Sequence, residues 1–496
     1  MIVDLLEAPD ELRHRDCDVF IAGAGPAGIS LALELAGARP DWHIVLAEAG
    51  GLEPASPEEQ DIYRLELGQK SYSVADICRR RLLGGTTVHW GGWSKPPDAT
   101  DYEPNPRWES PAWPFGPAEL ENYLAAACRW CEIDDTEFEV DALGEEWRAH
   151  SLSLADDSKL AERLFRFSPP TRFGRRYHAA LAAQENLSCL LHANLSDLVR
   201  RGDRLTQAHV GPLGKAPTQI RARYFVLAMG GIETTRFLLN LRGDRAADGE
   251  GVYSPHLGRH FADHFGINPG IVLAPADLRY SRFMDSSGPV MPVLTHARDQ
   301  LRVAGQNNSC IYLWAQSSDG SLLGGYGGSP ALGFRPGDYW HYHVKLIVEP
   351  QPNPASRVEL VNERCALGLR RARLDWRIHD SDFASAYQLF YALGDELSRS
   401  GQGRLQLTQA NTAALRAEVT GGCHHMGTVR MSTDSEEGVT DPDLRVFGSE
   451  NLYVSSAAVI PRYGYSNPTL TVVALSVRLA HHLAGTRREF ADDQPA

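Results

Sequence analysis

The chain has little of what marks several classes of protein. Its 496 residues contain only eight cysteines, and no apolar run approaches the roughly 18 residues that a membrane helix requires. The N-terminal segment Met1–Glu7 turns acidic before an apolar signal segment could form. We therefore expect no membrane span, and a cytoplasmic protein with reduced thiols.

Positive charge is also scarce. There are 49 Lys and Arg against 63 Asp and Glu, a net charge of −14, and no Lys/Arg-rich run offsets it. Such a chain would repel phosphate backbones, which argues against nucleic acid as a partner and slightly favours a neutral or cationic substrate. Only Cys128 and Cys131 are closely spaced, a pattern more typical of two cysteines on a helix face than of a metal pair, so no metal site is predicted.

The N-terminal part carries a strand, a glycine turn and a helix. The apolar run Asp18–Ala22 enters Gly23-Ala24-Gly25-Pro26-Ala27-Gly28, and helical spacing follows. Glycines at these positions permit a tight turn, close backbone approach to a pyrophosphate and close packing of helix on strand. A second strand ends at Glu48, 20 residues past Gly28, where a ribose hydroxyl is expected. The pattern predicts a dinucleotide site without distinguishing FAD from NAD.

Two later segments extend this site. The loop Gly84-Gly85-Thr86 has an imidazole, His89, three residues further on, and the apolar run from Tyr224 enters Gly230-Gly231. Glycine-rich loops allow a ligand to approach the backbone closely. The length of the chain indicates two domains or one large domain with an insertion. Together these features predict a sheet edge wrapped around an extended cofactor.

Near the C-terminus, His424 and Asn467 lie 43 residues apart. An imidazole and an amide are suited to taking a proton from an alcohol while a flavin takes the hydride. By spacing alone, His424 and its neighbour His425 could equally be core residues with satisfied hydrogen bonds. Asn467 precedes Pro468 and an apolar helical pattern, so it could instead cap a helix. Both alternatives stay open at this stage.

These pieces, in this order, resemble the glucose-methanol-choline (GMC) family of FAD-dependent oxidoreductases over nearly the whole chain. Within this family, the chain resembles the branch that contains pyranose 2-oxidase and the bacterial sugar dehydrogenases. These enzymes share His-x-x-Gly-Thr-x-x-Met, here His424–Met431, and Asn-Pro-Thr-Leu-Thr, here Asn467–Thr471. The resemblance implies an α/β chain, α+β overall, with a Rossmann-like FAD-binding domain and a substrate domain with an antiparallel sheet and helices. The implied FAD-binding segments are 1–100, 185–265 and 415–496, and the substrate-binding and cap segments are 101–184 and 266–414.

The resemblance also implies site residues. His424 becomes the general base, since it stands three residues before Gly427, and Asn467 becomes its catalytic partner. The implied cofactor-binding residues are Gly23, Gly25, Pro26, Ala27, Gly28, Glu48, Ala49, Gly84, Gly85, Thr86, His89, Trp90, Gly91, Ala228, Gly230, Ala458, Asn467, Pro468 and Thr469. His89 stands where some relatives bond the flavin 8α-methyl group covalently. An unbonded imidazole packed beside the ring is the alternative.

The function implied is FAD-dependent oxidation of a CH–OH group on a sugar, glycoside or related polyol. Hydride would pass to flavin N5 and the proton to His424. Alternatives on the same scaffold are oxidation of a non-sugar alcohol and a non-redox lyase reaction. A flavin-binding electron-transfer subunit is a third reading, disfavoured by His424, Asn467 and the lack of a cysteine cluster. Both O₂ and a redox partner stay open as the electron acceptor.

Overall fold

A computed structural model of the chain describes residues 1–7, 16–68, 72, 78–243, 254–315, 339–408 and 411–486. The strands in this part of the chain are, in order, β1 (Ile2–Asp4), β2 (Asp16–Ala22), β3 (Ile44–Ala47), β4 (Leu65–Leu67), β5 (Trp93–Ser94), β6 (Leu160–Phe167), β7 (Leu187–Leu191), β8 (Asn194–Arg201), β9 (Arg204–Gly211), β10 (Thr218–Leu227), β11 (Phe265–Ala274), β12 (Phe283–Asp285), β13 (Gly288–His296), β14 (Cys310–Ala315), β15 (Trp340–Val348), β16 (Arg357–Arg364), β17 (Arg370–Asp375), β18 (Arg404–Leu407), β19 (Thr420–Gly421) and β20 (Leu452–Val454).

The helices within the same ranges are α1 (Pro26–Ala38), α2 (Pro57–Gln60), α3 (Pro117–Trp130), α4 (Gly144–Arg148), α5 (Phe173–Arg176), α6 (His178–Ala183), α7 (Gly231–Gly243), α8 (Arg298–Arg302), α9 (Asp380–Ser400), α10 (Thr412–Glu418) and α11 (Pro468–Gly485). A search of the described residues finds no helix with the length and apolar character needed to cross a membrane.

The first sheet is of the Rossmann type. Its strands follow the order β1-β7-β3-β2-β10-β9-β8, and β20 also pairs with β10. The five neighbouring strands β1, β7, β3, β2 and β10 pair in parallel, and β20 pairs in parallel with β10. Strands β9 and β8 extend the sheet in antiparallel pairing. Every residue of β3 is buried, as the continuous apolar runs of a sheet covered on both faces require. Ala22 lies in register with both Ala47 and Leu227, so the carboxyl ends of three strands meet at one edge.

The second sheet is antiparallel throughout. Its order is β18-β11-β15-β14-β13-β6-β5, with β12 on β13 and β19 on β11. The helix α9 covers one face, and its Phe383, Leu389 and Leu393 share a core with Val344 and Leu346 of β15. A small third sheet has the order β16-β17-β4. The predicted fold class, a Rossmann-like sheet from separated segments beside an antiparallel substrate sheet, is confirmed by this architecture and by its likeness to solved structures described below.

The predicted domain boundaries remain a prediction, and one helix does not follow them. The amphipathic helix α3 lies in the range 101–184 assigned to the cap, yet it packs against α11. Its Leu120 and Ala127 are buried in the same core as Val473 of α11. The apolar face of α3 is therefore covered by the FAD-binding part of the molecule, and the sequence pattern alone does not reveal which surface covers it.

Candidate active site

A cleft lies at the carboxyl edge of the first sheet. Its empty volume is about 1190 Å³, part of it open to solvent. The residues that line it come from the glycine turn, the ends of β3 and β10, the Gly85 loop and the C-terminal segments. The predicted residues among them are Gly23, Gly25, Pro26, Ala27, Glu48, Ala49, Gly85, Thr86, Ala228, Gly230, His424, Pro468 and Thr469.

The glycine turn is shaped by close backbone contacts. Gly23 has φ +102°, and a Cβ on it would lie 2.5 Å from the carbonyl oxygen of Ala228. A Cβ on Gly28 would lie 1.9 Å from the carbonyl oxygen of Gly23. In contrast, a Cβ on Gly25 would meet no atom within 4 Å, because this residue faces the cleft. The turn is thus tight where chain meets chain and open where a ligand would lie.

Three helix N-termini border the cleft. The first residues of α1, α7 and α11 all line it, and neither α1 nor α11 has a side chain that caps its N-terminus. Free N–H groups and the helix dipole make such ends favourable for anions. The cleft is consequently suited to a pyrophosphate although the chain as a whole is acidic.

Glu48 is buried beside the glycine turn. One carboxylate oxygen accepts the N–H of Ala24 and the other accepts the N–H of Gly50, both at 2.9 Å. Burial raises the pKa of Glu48, and these hydrogen bonds oppose the shift. Each oxygen retains a lone pair, so the carboxylate can hold the turn and still accept a ribose hydroxyl.

Sequence reasoning missed several residues of the cleft, including Tyr63, Arg79 and Arg80. The guanidinium of Arg79 pairs with Glu233 of α7 at 2.8 Å, and that of Arg81 lies 5.0 Å from the ring centre of Tyr63. The run Arg79-Arg80-Arg81, shortly before the Gly84 loop, is the sequence feature from which the arginines of the cleft could have been predicted. It places Arg79, which Glu233 neutralises, and Arg80 at a cleft bordered by helix N-termini.

The turn that carries His424 is held by one buried carboxylate. Asp263 accepts the N–H groups of Gly422, Cys423 and His424 at 2.8–3.1 Å. It also accepts the hydroxyl of Tyr72 at 2.5 Å. Cys423 adopts φ +64°, a left-handed conformation rare for a residue with a side chain. Burial raises the pKa of Asp263 to about 6, opposed by these hydrogen bonds.

Strand pairing brings this turn to the cleft. Phe265 of β11 pairs with Gly421 of β19, and Ala262 exchanges two backbone hydrogen bonds with Met426 at 3.1 and 2.9 Å. The antiparallel pairing sets His264 beside His424, although 160 residues separate them. Their Nδ1 atoms lie 2.9 Å apart, with the rings nearly perpendicular at 80°.

The side chain of His424 is half-buried and faces the cleft. Burial lowers its pKa well below the ordinary 6.5, and the imidazoles of His264 and His425 lower it further. The ring is therefore neutral at pH 7 and can accept a proton. His425 also borders the cleft, but it bonds through Nε2 to the hydroxyl of Tyr72 at 3.0 Å and packs against Phe261.

The side chain of Asn467 does not cap a helix. Asn467 stands at the N-cap position of α11, but its side chain makes no capping hydrogen bond. Its Nδ2 lies 3.1 Å from His424 Nε2. Its buried Oδ1 has no hydrogen-bond partner among the described residues. Of the two alternatives that the sequence leaves open, the geometry matches the one that directs the amide toward His424.

Some residues predicted to bind the cofactor lie outside the lining of the cleft. Gly28 packs on Gly23, and His89 and Gly91 are exposed. Trp90 donates its indole N–H to the carbonyl of Thr171 at 2.8 Å. The others that do not line the described cleft are Gly84, Ala458 and Asn467. For Ala458 the prediction is displaced by one residue, because its neighbour Ala457 lines the cleft instead.

These features define a class of protein. A Rossmann-type sheet with an open glycine turn shares one cleft with a neutral histidine, and an amide contacts that histidine. This combination characterises an FAD-dependent oxidoreductase. Residues 352–476 match the family model described as GMC oxidoreductase. The resemblance to the GMC oxidoreductases that the sequence predicts is confirmed over this segment.

Known relatives agree with this assignment. The chain is 26% identical to paromamine 6′-oxidase from Streptomyces fradiae in an alignment that covers 94% of this chain and 91% of that protein. It is 48% identical to a C-glycoside 3-oxidase from Microbacterium trichothecenolyticum over 62 residues, 12% of each chain. An FAD-dependent oxidoreductase from Chaetomium thermophilum shares the fold with a TM-score of 0.60 at 15% identity, covering 94% of this chain and 98% of that one.

Proposed function

We propose that this enzyme oxidises a hydroxyl group of a sugar, glycoside or related polyol with FAD as its cofactor. One observation carries the proposal: a single cleft contains both the dinucleotide turn around Gly25 and the imidazole of His424. A proton acceptor beside a dinucleotide site is what oxidation of an alcohol requires, because the hydroxyl proton must leave as the carbon-bound hydride departs.

The described residues fit FAD. Gly25 leaves room for a close ligand, and the uncapped ends of α1 and α11 would hold the pyrophosphate. Glu48 would accept a ribose hydroxyl. When bound, FAD would supply the acceptor for the hydride.

His424 and Asn467 would handle the proton. His424 Nε2 and Asn467 Nδ2 lie 3.1 Å apart, so one substrate hydroxyl could reach both atoms when it replaces their direct contact, and could give its proton to the imidazole. The amide N–H of Asn467 would then donate to the same oxygen and stabilise the charge that develops on it. The low pKa of His424 keeps the acceptor unprotonated for this step.

The substrate class rests on the relatives and on charge. Paromamine and C-glycosides, named for the relatives above, carry sugar hydroxyls. The net charge of −14 favours neutral and cationic sugars, including amino sugars, over anionic ones. The electron acceptor, O₂ or a redox partner, and a cytoplasmic location remain predictions.

Covalent attachment of FAD through His89 also remains a prediction. His89 is exposed and lies three residues after Thr86, which lines the cleft. Acid-denatured, washed protein should stay yellow and fluoresce in a gel if the bond exists. Colourless protein would exclude it.

The test of the proposed function is His424→Ala against a panel of sugars, glycosides, amino sugars and simple alcohols, each with O₂ and with a dye acceptor. We expect turnover to fall about 100-fold or more, the usual contribution of a general base, with FAD still bound. His178→Ala, at an exposed residue of α6, is the matched control. Anaerobic addition of the substrate should bleach the flavin absorbance of the wild type. Turnover without bleaching would indicate a lyase and refute the proposal.

A further inference from the structure

We propose that His264 is a positioning residue that sets the tautomer of His424, keeping His424 Nε2 free to accept the substrate proton. The inference rests on the proposed function and deepens it. His264 does not line the cleft but contacts His424, so its effect would pass through His424.

The contact between the two rings permits only two arrangements of hydrogen atoms. Their Nδ1 atoms are 2.9 Å apart, so one must donate and the other accept. Burial lowers the pKa of His264 to about 4 and that of His424 well below 6.5, so each neutral ring carries one N–H. If His424 donates, its Nε2 is a bare lone pair. If His264 donates, His424 Nε2 is protonated and cannot act as a base.

The amide of Asn467 favours the first arrangement. Its Nδ2 lies 3.1 Å from His424 Nε2, and an amide nitrogen donates hydrogen bonds but does not accept them. His424 Nε2 must therefore accept this hydrogen bond, which leaves the N–H of the neutral ring on Nδ1. His264 Nδ1 is therefore the acceptor and His424 Nδ1 the donor.

The same contact would assist the reaction. As the substrate O–H bond breaks, the proton forms a new bond to His424 Nε2 and the positive charge spreads over the ring. The Nδ1–H bond to His264 then becomes charge-assisted and stronger. A neutral partner differs from a carboxylate in this position, since it orients the ring without raising its pKa strongly.

Two substitutions separate positioning from simple packing. In His264→Asn, the side-chain carbonyl can accept from His424 Nδ1 in place of the ring nitrogen. His264→Leu fills the space with no acceptor. We expect the Leu variant to lose about 100-fold in kcat with KM changed less than about threefold, and the Asn variant to recover most of that loss. His296→Leu, at another buried histidine in the second sheet, should leave kcat unchanged.

A spectroscopic measurement tests the tautomer without turnover. Holoenzyme labelled with ¹⁵N-histidine should show His424 protonated at Nδ1 and bare at Nε2, with the signal assigned by its loss in His424→Ala. In His264→Leu the proton should move to Nε2, because Asn467 can rotate its amide and accept it with Oδ1. A wild-type His424 protonated at Nε2 would overturn the inference, as would equal kcat in the Leu and Asn variants. Failure of the proposed function would appear separately, as full activity of His424→Ala. If His264→Leu does not fold, the wild-type spectrum and the Asn variant still decide.

Discussion

At the scale of single residues, the candidate site depends on where a few polar atoms point. His424 and Asn467 stand on different elements, and their side chains meet at 3.1 Å. His425, the next residue along the chain, also borders the cleft, but its Nε2 bonds to the hydroxyl of Tyr72. The two adjacent histidines therefore differ in chemistry because their ring nitrogens meet different partners.

Replacing Asn467 with Ala should separate catalysis from helix capping. Since its side chain makes no capping bond, we expect the free energy of unfolding to change by less than about 0.5 kcal/mol, while kcat falls about 10-fold or more. Denaturant unfolding and steady-state kinetics measure the two effects.

The matched control is Asn411→Ala, because Asn411 does cap its helix, accepting the N–H of Ala413 at 2.8 Å. This change should cost about 1 kcal/mol and leave kcat unaltered. A stability loss in Asn467→Ala as large as that of the control would argue for the capping role.

The pH dependence follows from the lowered pKa of His424. A base whose pKa lies well below 6.5 is already unprotonated at neutral pH, so protons compete with substrate only under more acidic conditions. Between pH 8 and 6.5, kcat/KM should show no acid limb from this group. A limb with an apparent pKa of 6.5 or above that is lost in His424→Asn would contradict the low pKa.

At the scale of elements, the glycine turn between β2 and α1 combines tight and open positions. Gly28→Ala would drive its Cβ to 1.9 Å from a backbone carbonyl. A Cβ on Gly25 meets no protein atom and would project toward the ligand. The same residue type thus serves folding at one position and cofactor binding at another.

Gly25→Ala should therefore fold but bind FAD weakly. We expect an unfolding midpoint of the apoprotein equal to that of the wild type and an affinity for FAD reduced about 10-fold or more. Fluorescence titration of apoprotein with FAD measures the affinity. Gly37→Ala is the control, since its Cβ also meets no atom but lies near the far end of α1. Unchanged FAD affinity in Gly25→Ala would show that the cofactor does not approach this turn.

At the scale of the whole molecule, a buried ionic contact joins the second sheet to the C-terminal segment. Glu349 directly follows β15 and is fully buried. Its two oxygens accept the N–H groups of Asn308 and Gly464 at 2.7 and 2.8 Å, and the guanidinium of Arg462 lies 3.6 Å away. This contact supports the residues just before Asn467, so it links the antiparallel sheet to the candidate site.

Glu349→Ala should destabilise the protein by about 3 kcal/mol or more, because it leaves two buried N–H groups without their acceptor and the buried guanidinium of Arg462 without this opposite charge. Urea unfolding followed by tryptophan fluorescence would measure this loss. Glu146→Ala removes a carboxylate that is 87% exposed and pairs with Arg279, and it should change stability by less than about 0.5 kcal/mol. Equal losses of unfolding free energy in Glu349→Ala and Glu146→Ala would mean that the buried contact does not stabilise the protein.

Local patterns in the sequence were enough to predict the Rossmann-type strand, turn and helix, the place of Glu48 at the end of the second strand, and the helix after Asn467. Strand and helix periodicity and the steric requirements met by glycine depend on residues close together in the chain, so they can be predicted from the sequence. The family assignment followed from the order of these pieces. The positions of Arg79, Asp263 and His264 around the site were not predicted.

Only the tertiary structure decided the contacts between distant segments. The pairing of β11 with β19 sets His264 against His424 across 160 residues, and no local pattern specifies which strands will pair. The same holds for Asn467, whose amide is free to cap α11 or to face His424. The group that lies opposite the N-terminus of α11 decides between capping and contact with His424. The fold brings His424 to that position through the pairing of distant segments.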